Sequence, residues 1–169
     1  MNYSILVLAM VLSLSAVAQD DKSKRPSPPA LAEGTVDGIK IKVDYSAPSA
    51  KGRKMLGGIE AYGSVWRTGA NEATVIEFDK AAKIEGQPIA AGKYELFTIP
   101  GETEWVIIIQ KYGKQWGAYD YKESKDVLRV KVKSGKTDAA VETFNISVGE
   151  GGVTLKWENT SVTFKVTKA

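Results

Sequence analysis

Between Ser46 and Glu72 the chain runs for 27 residues without the alternation that marks a strand, and there its chemistry-bearing side chains gather. Arg53, Trp66, Arg67, Asn71 and Glu72 bring two guanidinium groups, an indole, an amide and a carboxylate. A guanidinium pairs bidentately with carboxylate, sulfate or phosphate, and an indole stacks on a sugar face. Five glycines in the same stretch allow close backbone approach or positive φ. Connections this long inside a compact domain are uncommon and often functional. Arg53, Arg67, Asn71 and Glu72 are therefore expected to converge on one partly exposed concavity, with Trp66 as its floor or wall. Its ligand would be an anionic or carbohydrate molecule, or a component of the cell envelope. The same residues also have a structural reading: Trp66 plugs one end of the fold, Arg67 pairs with Glu72, and the glycines shape a cover.

Two zeros limit the chemistry further. The sequence has no His and no Cys. That excludes disulfides, thiol nucleophiles, Cys/His zinc sites, Ser-His-Asp triads and histidine acid/base catalysis. No Ser-x-x-Lys dyad, phosphate-binding glycine loop or EF-hand run occurs either, and neither a metal nor a cofactor is expected. An enzyme built from these residues would be a glycoside hydrolase using a carboxylate pair, with Glu72 and Asp120 nearest the segments of interest. Otherwise a tyrosine base would act beside Arg and Asn in a polysaccharide lyase. No spacing marks a catalytic pair, so a non-catalytic binding module is the favoured reading and the carbohydrate-active enzyme the alternative. Trp116, Tyr119 and Tyr121 form a second aromatic group, read as a core row because the two tyrosines would share one strand face. Arg129, Lys131, Lys133 and Lys136 read as a solvated outer face. With 23 Lys plus Arg against 20 Asp plus Glu, the net charge of +3 is too mild to predict nucleic-acid binding.

The elements that must position these groups are strands. Asp37-Gly38 separates Ala32–Val36 from Ile39–Tyr45, a strong hairpin signal because both turn positions favour positive φ. Ile39, Ile41 and Val43 share one face and Lys40, Lys42 and Asp44 the other. Ala73–Phe78, Lys93–Ile99, Trp105–Gln110 and Val127–Lys133 continue the series. Phe144–Val148, Val153–Trp157 and Val162–Val166 read as a meander, with turns at Gly149–Gly152 and Asn159-Thr160. Ile39, Ile41, Val43, Leu128, Val130, Val132, Phe144, Ile146, Val148, Leu155, Val162 and Phe164 should line one shared core. Strands without intervening helices predict an all-β fold, an antiparallel β-sandwich or flattened barrel of about nine or ten strands with one long irregular connection.

The N-terminus sets the expected compartment. Residues 1–18 carry no charged side chain, and Ile5–Val17 is an apolar run too short for a bilayer span of about 20 residues. It ends in Ala16-Val17-Ala18, the small-x-small pattern of a signal-peptidase site, so the expected mature chain starts at Gln19 and is exported, periplasmic or secreted, with no lasting membrane insertion. Residues 19–30 read as a flexible Pro-rich lead-in and 31–169 as a single domain. Several blocks carry a resemblance: Val43–Ser49 with Lys51–Lys54, Val65–Thr74, Ala91–Gly101 and Lys114–Tyr121. With these blocks the chain resembles an exported bacterial family described only as a domain of unknown function (DUF2911), over roughly residues 25–166. The resemblance implies a secreted bacterial β-domain and brings no activity with it.

Overall fold

The computed structural model describes residues 21–169, so the expected signal segment 1–18 lies outside the described residues. Nine strands follow in chain order: β1 (Pro29–Val36), β2 (Ile39–Ser46), β3 (Thr74–Phe78), β4 (Ala82–Ile84), β5 (Gln87–Ile89), β6 (Gly92–Ile99), β7 (Glu104–Lys111), β8 (Asp126–Gly149) and β9 (Gly152–Lys168). They form one antiparallel sheet in the order β1-β2-β3-β6-β7-β8-β9-β4-β5, which is not closed by hydrogen bonds between β1 and β5. The sheet bends back over itself as a flattened barrel, and residues from its two ends share one core. Gly34 of β1 makes part of that closure possible. A Cβ there would stand 2.8 Å from the Val148 carbonyl oxygen of β8.

Local chemistry explains the hairpins. Asp37 and Gly38 take φ of 50° and 80°, the pair of left-handed conformations that a two-residue turn between right-twisted strands requires. The expected inward rows are buried, with Val148 half-buried against them. One expectation at the C-terminus changes. Asn159-Thr160 is not a turn, because β9 runs on through it and pairs with an equally continuous β8. The β8–β9 register shifts between Lys136 and Val141 and again between Val141 and Asn145. Such bulges bend a strand without ending it, and Glu158 sits at the bend with φ 52°.

The long connection after β2 is the cover that the structural reading described. Ala47, Ala50, Met55, Leu56 and Trp66 all enter the core. Its turns are pinned to the β8–β9 hairpin by two carboxylates: Glu142 accepts from the Lys51 amide at 2.6 Å, and Glu158 from the Met55 and Leu56 amides at 3.0 and 2.8 Å. On the opposite face of the central strands, residues 112–125 cover Ala73, Phe97 and Ile108, so this outer surface is partly buried as well.

Candidate functional site

The residues singled out in the connection separate. Arg53 donates to the carbonyls of Ala50 and Ser49 at 2.9 and 2.8 Å and thereby ties its own exposed turn. Trp66 is a core residue, not the wall of a concavity. Only 2% exposed, it stacks on Trp157 at 5.6 Å between ring centroids and meets Phe144 and Trp105 edge-on. Its indole N–H donates to the Gly69 carbonyl at 3.0 Å, which satisfies the one polar atom a buried Trp brings. Glu72 does not pair with Arg67. It accepts from Lys22 at 2.8 Å and from Arg25 at 3.0 and 3.1 Å. Partial burial pushes the Glu72 carboxyl up, but the bonds from Lys22, its own backbone amide and Arg25 outweigh this and hold it at about 2. Asn71, in the left-handed region with φ 59°, donates to the Ser27 carbonyl at 3.0 Å.

Asn71, Glu72 and Arg67 nevertheless share a neighbourhood, set by a second loop. The Gly117 amide donates to the Asn71 carbonyl at 3.0 Å, the Ala73 amide donates to the Gln115 carbonyl at 3.0 Å, and Glu72 and Trp116 form a bridge. These bonds join the Arg67–Ala73 segment to the Gln115–Tyr121 segment as one frame. On that frame Trp116 is 54% exposed and Tyr119 85% exposed, which corrects the core-row expectation for both. Residues 117–120 are turn, not strand, so no alternation directs the rings inward. Gly113 and Gly117 around Trp116 were the legible signal for a loop here. Only Tyr121 turns in, packing on Phe97 at 5.2 Å.

Arg67 completes the surface. A Cβ on Gly117 would lie 3.0 Å from the Tyr119 ring and 3.4 Å from the Arg67 guanidinium, so ring and cation flank the same point. The Arg67 Nε is buried without a hydrogen-bond partner. Glu60 faces this guanidinium. Burial raises the Glu60 carboxyl above its ordinary value, and the Arg67 charge opposes that rise. Beneath the loop lies a polar chain. The buried Glu95 carboxylate accepts from the Gln115 amide N–H at 2.8 Å and from its side chain, which also donates to Gln110 at 2.7 Å. Gln110 in turn donates to Asp126 at 2.9 Å, as does the Tyr121 hydroxyl at 2.6 Å. Burial, followed by that bond and the Asp126 charge, raises the Tyr121 hydroxyl above its ordinary value. No group of three or more His, Cys, Asp or Glu suited to a metal occurs among the described residues.

A family model described as a protein of unknown function, DUF2911, matches residues 27–166. The chain belongs to this family. No curated protein and no solved structure matches it. The stretch matched in this DUF2911 chain spans both loops of the frame, strands β1 to β8, and β9 as far as Val166.

Proposed function

We propose that this DUF2911 domain is an exported, non-catalytic module that binds an acidic saccharide on the shelf formed by Trp116, Tyr119 and Arg67. The observation that carries the reading is the exposure of two large aromatic rings beside a guanidinium, on loops locked together by backbone hydrogen bonds. Exposed aromatic faces stack on the C–H face of a sugar, and a guanidinium takes a carboxylate or sulfate bidentately. Holding the loops with the buried Glu95–Gln115–Gln110 chain lowers the ordering cost of binding.

Two observations favour binding over the enzyme alternative. Glu72 stays ionised far below neutral pH, which unsuits it for general-acid work. Tyr121, half-buried beside a carboxylate, donates its hydroxyl hydrogen bond to Asp126 and is raised, so it holds its proton, the opposite of what a tyrosine base needs. Calorimetric titration of the mature chain with tetragalacturonate tests the proposal. Binding that is lost in both Trp116→Ala and Tyr119→Ala supports it. Binding that survives both, or no binding at millimolar ligand, overturns it.

A further inference from the structure

The lead-in before β1 is not a free linker in its described part. Arg25 precedes Pro26, and a residue before proline is driven to extended backbone; it takes φ −67° and ψ 147°. Downstream, the Ser27 carbonyl accepts from the Asn71 side chain at 3.0 Å and the Pro28 carbonyl from the Ala47 amide at 2.9 Å. The Arg25 side chain is thereby carried to Glu72, where its Nη1 donates to the two carboxylate oxygens at 3.1 and 3.0 Å. Glu72 and Trp116 stand opposite each other in an antiparallel bridge, so their side chains leave the same face. Arg25 spans the two. Its guanidinium carbon lies over the Trp116 ring, 5.8 Å from the centroid, within the range of a cation–π contact.

Exposure tells which side of the ring the cation takes. The Arg25 side chain is only 19% exposed, whereas Trp116 is 54% exposed. A ring with a guanidinium on one face and protein on the other would show little more than its edge to solvent. The cation therefore lies on the inner face, and the outer face is open. Among the described residues Trp116 belongs to neither apolar cluster, and no other aromatic ring packs on it. A half-exposed indole without such support rotates about its two side-chain torsions, and ordering it on binding weakens affinity. We infer that Arg25 is the positioning residue of the shelf: it backs Trp116 and holds the indole plane so that a saccharide stacks on the open face. The inference rests on the shelf reading above and adds the lead-in to the binding machinery, as a support that touches no ligand. Glu72 fixes the guanidinium, and the guanidinium fixes the ring.

Titration with tetragalacturonate and NMR relaxation of the Trp116 indole, measured on the same variants of the mature chain, test the inference. Arg25→Ala should weaken binding about fivefold, the scale of one cation–π contact at a partly covered site. It should also lower the heteronuclear NOE of the Trp116 indole N–H and leave those of Trp66, Trp105 and Trp157 unchanged, which a general loss of structure would not do. Arg25→Lys keeps a cation for Glu72 and for the ring and should recover most of both losses. An Arg25→Ala variant that binds as the wild type does, or whose Trp116 indole stays as ordered, overturns the inference and leaves the shelf reading standing. Tighter binding by that variant overturns it too, since the lead-in would then mask the ring. Failure of the wild type to bind overturns the two together.

Discussion

Two tryptophans show how little residue type says about role. Trp66 and Trp116 both neighbour charged groups in the sequence, yet one is 2% exposed and the other 54%. Trp66→Ala would open a cavity among Trp105, Phe144 and Trp157 and should cost about 3–5 kcal/mol in urea unfolding. Trp116→Ala removes a half-exposed ring and should change stability by no more than about 0.5 kcal/mol. Equal losses in the two variants would mean that Trp116 is a packing residue and would remove the shelf. Glu72 carries a prediction of its own. Its carboxyl sits at about 2, below the ordinary 4.5, so its hold on Lys22 and Arg25 is complete above about pH 4.5 and is lost as pH falls through 2. The indole NMR signal of Trp116 should stay constant from pH 7 to 5 and move only in that acid window. A transition centred at 4.5 would show that the two cations do not hold the carboxylate.

At the scale of elements, the informative contrast lies between the two irregular segments. Residues 46–72 read as the site because they concentrate guanidinium, amide and carboxylate groups, yet most of the segment is a cover that pushes Met55, Leu56 and Trp66 into the core. Its tether is the β8–β9 hairpin, through Glu158 at the bend. Hydrogen bonds from amides to a charged group contribute about 1.5–3 kcal/mol, so Glu158→Ala should destabilise the domain by that amount in urea titration. The same variant should leave tetragalacturonate affinity within about twofold of wild type, because Glu158 contacts the cover and not the frame of Asn71 and Gly117. A large loss of affinity with small loss of stability would place the cover in the site after all. Residues 112–125 behave the other way. They bury Gln115 and half-bury Tyr121 against the sheet, and present Trp116 and Tyr119 outward.

For the whole molecule, the sheet order brings chain ends and middle into one cluster: Ile41 and Val43 of β2, Ile107 of β7, Phe144 of β8 and Phe164 of β9 share it. A core held in common by strands from both ends of the sheet cannot be lost in halves. Urea unfolding should therefore be two-state, with tryptophan fluorescence and far-UV circular dichroism giving coincident transitions. Separated transitions would show that the two ends of the sheet fold independently. Release of Lys22–Arg25 in acid stands outside this cooperativity, since none of Lys22–Lys24 is buried and Glu72 holds Lys22 and Arg25 through its charge.

Features that depend on neighbours along the chain were legible before folding. Period-two alternation in Ile39–Val43 and Leu128–Val132 specified inward faces, and Asp37-Gly38 specified a turn through the φ values those residues tolerate. Fold class, the buried rows and membership in the family were legible on these grounds, with the blocks at 65–74 and 114–121. The site was half legible: Arg67, Asn71 and Glu72 were picked out, but their partners lie about 45 residues away in Gln115–Tyr119 and in Lys22–Ser27. Only the fold brings those segments together: the chain that follows β7 returns to bridge Trp116 to Glu72, two residues before β3 begins. Continuity of β8 and β9 was likewise a tertiary decision. Asn159-Thr160 has turn residues, and pairing along the bulged length of β8 outweighs that local preference. Whether an aromatic ring is floor, core or shelf depends on which face of which strand stands opposite it, and no local pattern encodes that.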